Sequence, residues 1–344
     1  MSVWCCPECF DDRGLRKDII PSLSTTQGVC DFCGSAGVDL VKPGQLSDIF
    51  EMLVSVYEPD LTGKPLVEWM KDDWHIFPHM DAAHAKELLG EILDDGEVVR
   101  KTFSPSARYK SEGLARWETL RDELMYKNRY FLDEELDVDR LHELLGHLIA
   151  DNVPERWYRA RVLTGGEPYR IDEMGAPPKH LATHGRANPI GIPYLYLASF
   201  PETAIAEVRP HTGETASVAE FSVLRPLTVV DLRDPRKLIS PFVLADASAI
   251  GQMRADISFL ERLGNELTRP VLPRSAGIDY IPSQYLCEFI KKRGYDGVVY
   301  RSSVSTGMNL ALFNPAMVKG TVVTTYIISR VSVEIGRLPA SGVR

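Results

Sequence analysis

Five of the six cysteines lie before residue 34, in "CCPEC" (Cys5, Cys6, Cys9) and "CDFCG" (Cys30, Cys33). Cys6 and Cys9, with Cys30 and Cys33, make two C-x2-C pairs with 20 residues between them. That is the ribbon or treble-clef spacing that places four thiolates around one tetrahedral zinc ion. Four sulfur ligands leave no open coordination position, so the expected ion is structural. Cys5 is a spare that could replace Cys6, and Gly34 eases the turn of the second knuckle. The other reading of the pairs, as two disulfides or free thiols, is weaker. The start, "MSVWCCPECF", lacks a charged region followed by an apolar one, so a cytoplasmic location is expected, where thiols stay reduced. Lone Cys287 reads as a small core residue rather than a nucleophile.

A second chemical feature is one carboxylate in an apolar setting. In "YLYLASFPETAIAEV" (194–208), Tyr194, Tyr196 and Ala198 alternate with Leu195 and Leu197, as in a buried strand. Ser199 and Glu202 then have capping-box spacing, with Pro201 in the first turn of a short helix that Pro210 closes. Ala204, Ile205 and Val208 share one face of it, and Glu207 lies on the border of that face, roughly 60° from Ala204. Isolated polar residues recur at other strand edges: Arg159, Arg186, Asn188, Ser302, Ser303 and Asn309. Taken singly, each has a plain structural reading as an ion-pair partner, a turn residue or a helix-border charge.

The elements that must position these residues fall into two parts. The chain has 344 residues, 44% of them hydrophobic, enough for two domains with real cores. No apolar run approaches a membrane span. The net charge of -9 is uneven: residues 1–150 carry 29 acidic and 16 basic side chains, residues 151–344 carry 19 and 23. Eighteen of those 23 are Arg, whose planar fork suits phosphate oxygens, so the two halves should have different partners. No Lys/Arg-rich run marks a nucleic-acid groove, and none is expected. After a zinc knuckle over 1–42, residues 43–150 show helical periodicity in "LSDIFEMLVSVY", "AAHAKELLGEIL", "GLARWETLRDELMY" and "DVDRLHELLGHLIADN". In the last of these His142 and His147 are five apart, about 140° around a helix, so they cannot share a metal as an H-E-x-x-H pair does. Arg140 and His147 match the loose R-x(4-6)-H pattern of HEPN ribonucleases, but solvated histidines are the expectation there. From 151 to 335 the pattern turns to strands, with a tail over 336–344. The expected class is α+β.

Four stretches in the second part, "YRAR", "GRANPIGIPYLYLASFPETAIAEV", "YDGVVYRSS" and "NLALFNP", resemble the RES domain in content and order, over about residues 151–330. That family occurs among bacterial toxin-antitoxin toxins. The resemblance implies a mixed-sheet fold similar to ADP-ribosyltransferases and NAD as substrate. It puts the family's Arg on Arg159, its Glu on Glu207 and its Ser on Ser302, with Tyr196 on its tyrosine. "YRSS" leaves Ser302 or Ser303 open, and Ala187 stands where the family commonly has a larger residue. The first part resembles the HEPN-type domain attached to some RES proteins, on its C-x2-C pairs and helices.

The residue chemistry fits that implication. Breaking the nicotinamide–ribose bond builds positive charge on the ribose, which a fixed carboxylate such as Glu207 stabilises beyond the ground state. Arg159 suits a phosphate, Tyr196 a planar ring, and Ser302 a ribose hydroxyl or Glu207 itself. Ser303 and Asn309 join the NAD-binding set, and Arg186 and Asn188 lie in a loop that could close over the ligand. The expected function is NAD degradation by hydrolysis or phosphorolysis, in a growth-arresting toxin. The alternatives are ADP-ribosyl transfer to a protein and a non-catalytic zinc-and-helix binding module. An antitoxin and a homo-oligomer are partners that the first reading admits.

Overall fold

The structure, a computed structural model, describes residues 3–272 and 274–332. The expected tail at 336–344 and the end of the domain expected over 151–335 lie outside the described residues. The chain divides into two compact units: residues 1–148 with 234–265, and residues 149–233 with 266–344. No helix among the described residues is long and apolar enough to cross a membrane.

The assignment of 234–265 departs from the sequence reading, which kept that segment in the second domain. In the helix Ala247–Thr268, Ile250, Met253, Ile257 and Leu260 recur at spacings of three and four and are buried. Periodicity identifies such a buried face but not the core that receives it. Charge also ties the segment to the first unit. Arg254 meets Asp73 at 3.4 Å, Asp256 meets Arg140 at 2.7 Å, and Arg262 pairs with Glu118. Part of the arginine excess of residues 151–344 is therefore used on carboxylates of residues 1–150, not on a separate partner.

In the first unit, β1 (Thr26–Val29) and β2 (Ala36–Leu40) form an antiparallel ribbon beside the cysteines. The helices Ser47–Val54, Ala82–Leu93, Gly113–Tyr126 and Val138–Gly146 occupy the four periodic stretches. The helix Leu66–Trp74 and the ribbon of β3 (Tyr57–Pro65) and β4 (Thr102–Pro105) are additional, so this unit is not made of helices alone. Phe10 packs 5.6 Å from Phe50 and 5.5 Å from Phe77 between ring centroids, and Phe242 lies 4.7 Å from Phe50. His142 and His147 are half-buried rather than solvated, and burial lowers the pKa of His147. Arg140 is held by Asp256 and by Glu143 at 2.8 Å.

The second unit is built on seven strands: β5 (Arg156–Val162), β6 (Leu195–Ala198), β7 (Thr215–Val223), β8 (Val229–Asp231), β9 (Gly297–Arg301), β10 (Met308–Leu312) and β11 (Val318–Ile327). Their order is β11-β7-β5-β6-β10-β9-β8, antiparallel throughout except for the parallel pair β8 and β9. This mixed sheet with its helices gives the α+β class. Side chains alternate between faces along each strand. Trp157, Leu195, Leu197, Phe221, Val299 and Leu310 bury one face. On the other, Ala160, Ala198 and Val218 are small enough for Ala204 of the helix Pro201–Glu207 to pack against them.

One irregularity in this sheet prepares the site. β5 and β6 pair only at Tyr158 and Ala198. Beyond that point the ladder is interrupted, and the Tyr196 carbonyl accepts a hydrogen bond from Arg159 Nη1 at 3.2 Å instead of from a strand. A side chain thus satisfies a backbone group that would otherwise be left unpaired.

Candidate active site

The helix Pro201–Glu207 carries the carboxylate, and a loop fixes both ends of that helix. The capping box expected from Ser199 and Glu202 is not formed. Phe200 is the N-cap without a side-chain bond, Pro201 holds the first turn, and Ser199 Oγ accepts from the Met308 amide at 3.1 Å. Ser199 is drawn into the continuation of the β6–β10 ladder, which also takes its amide to the Met308 carbonyl at 2.9 Å. The loop between β9 and β10 then returns across the helix, with Ser305 Oγ 3.0 Å from Thr203 Oγ1. Gly307 permits this approach, because a Cβ there would lie 2.2 Å from Thr203 Oγ1.

Glu207 ends the helix, where a negative charge meets the unfavourable end of the helix dipole. Two donors offset this on a single oxygen: Ser302 Oγ at 2.7 Å and Asn309 Nδ2 at 2.6 Å both bond Glu207 Oε1. Asn309 is buried on β10, opposite Ala198 on one side and Tyr300 on the other. The second carboxylate oxygen of Glu207 carries no hydrogen bond among the described residues. Glu207 is exposed rather than shielded by the apolar helix face. Its field is unscreened only when something in front of it displaces water.

That space is a cavity of about 360 Å³. Arg159, Arg186, Tyr196, Glu207 and Asn309 all line it. Arg159 is half-buried, its Nε is buried without a hydrogen-bond partner, and no carboxylate lies within ion-pair distance among the described residues. Burial, with a smaller contribution from the charge of Arg161, lowers its pKa to about 10. A cation so placed calls for an anion, since a charge removed from water and left unpaired is costly. Tyr196 bonds through its hydroxyl to Asn188 Oδ1 at 2.7 Å and accepts from the Ala187 amide at 3.0 Å, and burial raises its pKa.

The loop residues differ from expectation. Asn188 is buried and does not line the cavity. Its Nδ2 donates to the Thr183 and Pro189 carbonyls at 2.9 and 3.0 Å, so it shapes the loop and anchors Tyr196. Arg186 does face the cavity but is already engaged. Its Nη1 donates to the carbonyls of Leu267 (3.2 Å) and Arg269 (2.7 Å), and its Nη2 lies 3.4 Å from Ser303 Oγ. The two serines are therefore distinguished by their contacts: Ser302 touches Glu207, and Ser303 touches Arg186. Cys287 is fully buried with its thiol pKa raised by burial, which suits a core residue.

Sequence reasoning missed Tyr158, His184, Gly185, Tyr280 and Tyr300, which also line the cavity. Gly185 had a readable signal in "HGRANP": a Cβ on it would come 2.5 Å from the Tyr196 hydroxyl and 2.6 Å from Asn188 Oδ1. The tyrosines looked like ordinary strand and helix residues and gave no such sign.

In the first unit, the Sγ atoms of Cys6, Cys9, Cys30 and Cys33 all lie within 4.8 Å of one another, and the Cys6–Cys33 and Cys9–Cys30 separations are 3.4 Å. Zinc–sulfur bonds of about 2.3 Å in a tetrahedron require sulfurs roughly 3.8 Å apart, so the cluster has the dimensions to hold a metal ion. Gly34 takes a positive φ of 73°, as the knuckle needs. Cys5 is outside the cluster and lies against the Val41 carbonyl.

The sheet, the held carboxylate and the arginine without a carboxylate partner among the described residues define an α+β domain with a cavity at the break between two strands. Residues 156–331, just over half of the chain, match the family model described as the RES domain, and the chain belongs to that family. A solved structure, the crystal structure of the M. tuberculosis MbcT-MbcA toxin-antitoxin complex, contains a chain 14% identical to this one. The match covers 55% of this chain and 93% of that one, with a TM-score of 0.34. No curated protein matches the chain.

Proposed function

We propose that the second unit degrades NAD by cleaving its nicotinamide–ribose bond. The observation that carries this reading is the pairing, in one cavity, of a carboxylate fixed through one oxygen with a half-buried guanidinium that has no carboxylate partner among the described residues. Arg159 takes the pyrophosphate and Tyr196 offers a ring face to the base. Glu207, through its free oxygen, faces the ribose carbon on which positive charge develops as nicotinamide leaves. The bound dinucleotide itself displaces the water that screens Glu207 in the free protein. Ser302 and Asn309 act by holding Glu207.

The acceptor of the ribosyl group is water or phosphate in this reading, and the chain acts as a growth-arresting toxin restrained by an antitoxin, as the RES resemblance implies. Incubating the purified full-length chain with NAD, with and without phosphate, tests it. Free nicotinamide with ADP-ribose, or with its 1″-phosphate, is the expected result. Nicotinamide release only when a target protein is present would favour ADP-ribosyl transfer, and no turnover at all would leave a binding module.

The cysteine cluster is proposed to hold one structural zinc through Cys6, Cys9, Cys30 and Cys33, and the HEPN-type character of residues 43–150 stays part of the same proposal. Metal binding there contributes folding free energy. One zinc per chain should copurify, and Cys30→Ser should lose it together with the stability of the first unit. Protein that is folded and free of zinc would refute the assignment.

A further inference from the structure

Among the buried residues of the cavity lining, Tyr300 is the one whose polar side-chain atom makes no hydrogen bond among the described residues. The residue is 3% exposed and lines the cavity, yet its hydroxyl makes no hydrogen bond among the described residues. The ring is packed in the sheet while the hydroxyl oxygen is reached from the cavity, so its hydrogen bond is left to water or to a ligand there. The place of Tyr300 in the sheet says where a partner would lie. On β9 it stands directly opposite Asn309, the residue whose Nδ2 bonds Glu207 Oε1 at 2.6 Å. Burial, and then Tyr196 and Glu207, push its pKa well above the ordinary tyrosine range, against an opposing effect of Arg186. The phenol thus stays protonated and lies within the field of both Glu207 and Arg186.

We propose that the Tyr300 hydroxyl contacts the substrate, donating a hydrogen bond to a hydroxyl of the ribose that lies against Glu207. This rests on the NAD reading. Glu207 offers an acceptor oxygen and Tyr300 a neutral donor, the complement of a vicinal diol in which one hydroxyl donates to the carboxylate and the other accepts from the phenol. A phosphate at this place would be repelled by Glu207, and an apolar ring would leave the phenol unsatisfied. Tyr300 adds specificity for the sugar beside the charge stabilisation supplied by Glu207.

The test uses the full chain, as wild type and as Tyr300→Phe, with NAD and its 2′-deoxy and 3′-deoxy analogues on the nicotinamide ribose. Affinities are read by calorimetry in a Glu207→Gln background, where turnover is suppressed. With Tyr300 present, one of the two analogues should bind about tenfold more weakly than NAD, the scale of one hydrogen bond. With Tyr300→Phe, NAD itself should weaken to the level of that analogue, and the melting temperature should not move. If the phenylalanine variant binds NAD as tightly and still discriminates, Tyr300 has no such contact and the NAD reading stands. If Tyr300-containing protein binds NAD and both analogues equally, the proposal is overturned without any recourse to the variant. Absence of NAD binding to the wild type as well as to Glu207→Gln would remove both readings together.

Discussion

Arg159 shows most clearly how a proposed site residue can work against the fold that carries it. Its guanidinium is drawn into the break between β5 and β6, bonded to one carbonyl and to no carboxylate among the described residues. Burial lowers its pKa to about 10, so the charge is held at a cost to the ligand-free protein. Replacement by a side chain of similar length without charge should remove that cost. We expect Arg159→Met to raise the melting temperature of the free protein, by the equivalent of roughly 1–3 kcal/mol, while abolishing the further rise that NAD gives the wild type. Calorimetric scans with and without NAD check both. A variant that melts lower than wild type and is still protected by NAD would mean that Arg159 is a structural residue. At this scale the meeting of Glu207, Ser302 and Asn309 with Arg159 around one cavity was legible from the sequence because each sits in a stretch with a distinctive order, and their roles are the proposal. Asn188 was expected to face the ligand and instead bonds its own loop, because an Asn in a loop can equally well do either.

At the scale of elements, capping decides where the chemistry stands. The helix that bears Glu207 starts at Pro201, not through a Ser199 box, because the strand ladder claims Ser199 first. Local spacing cannot show which of two partners wins. A second cap offers a measurable pH effect. Asp12 Oδ1 accepts from the Leu15 amide at 2.8 Å, at the start of the helical turn Leu15–Ile19, and from Ser240 Oγ at 2.8 Å. Burial raises its pKa to about 6, against an ordinary value of about 3.9. Between those values the folded protein binds more protons than the unfolded chain, so this group's contribution to stability is fully present below about pH 4 and is lost as pH rises through 6. Asp12→Asn keeps an acceptor and removes the titration. Relative to wild type, the variant should gain up to about 3 kcal/mol between pH 4 and pH 7, read from denaturant unfolding of the full-length protein. Parallel pH profiles for the two proteins would contradict the raised value.

For the whole molecule, composition and order revealed two compact parts and the α+β class, but not the path of the chain between them. Residues 234–265 leave the RES-type unit to complete the first one, through the apolar face of the helix Ala247–Thr268 and the pairs of Arg254 with Asp73 and Asp256 with Arg140. A helix with a buried stripe is visible in sequence, whereas the core that it enters depends on contacts more than a hundred residues away. A fragment beginning at residue 151 would part this segment from its core, so function is best measured on the full chain. The cavity lining shows the same limit, since Tyr300 of β9 comes to share a cavity with Arg159 of β5 only once the strands are ordered in the sheet.

The most direct test of the central claim is NAD consumption by the full-length wild type and by Glu207→Gln, with kcat and KM measured separately. Glutamine keeps an acceptor for Ser302 and Asn309 but turns the free oxygen into a neutral amide group, so the bound ground state should change far less than the charged transition state. The account predicts a fall in kcat of roughly 10²- to 10³-fold with a modest change in KM, as for loss of one preorganised electrostatic group. A correctly folded Glu207→Gln protein that consumes NAD as fast as the wild type would show that Glu207 is only a charge at the end of a helix.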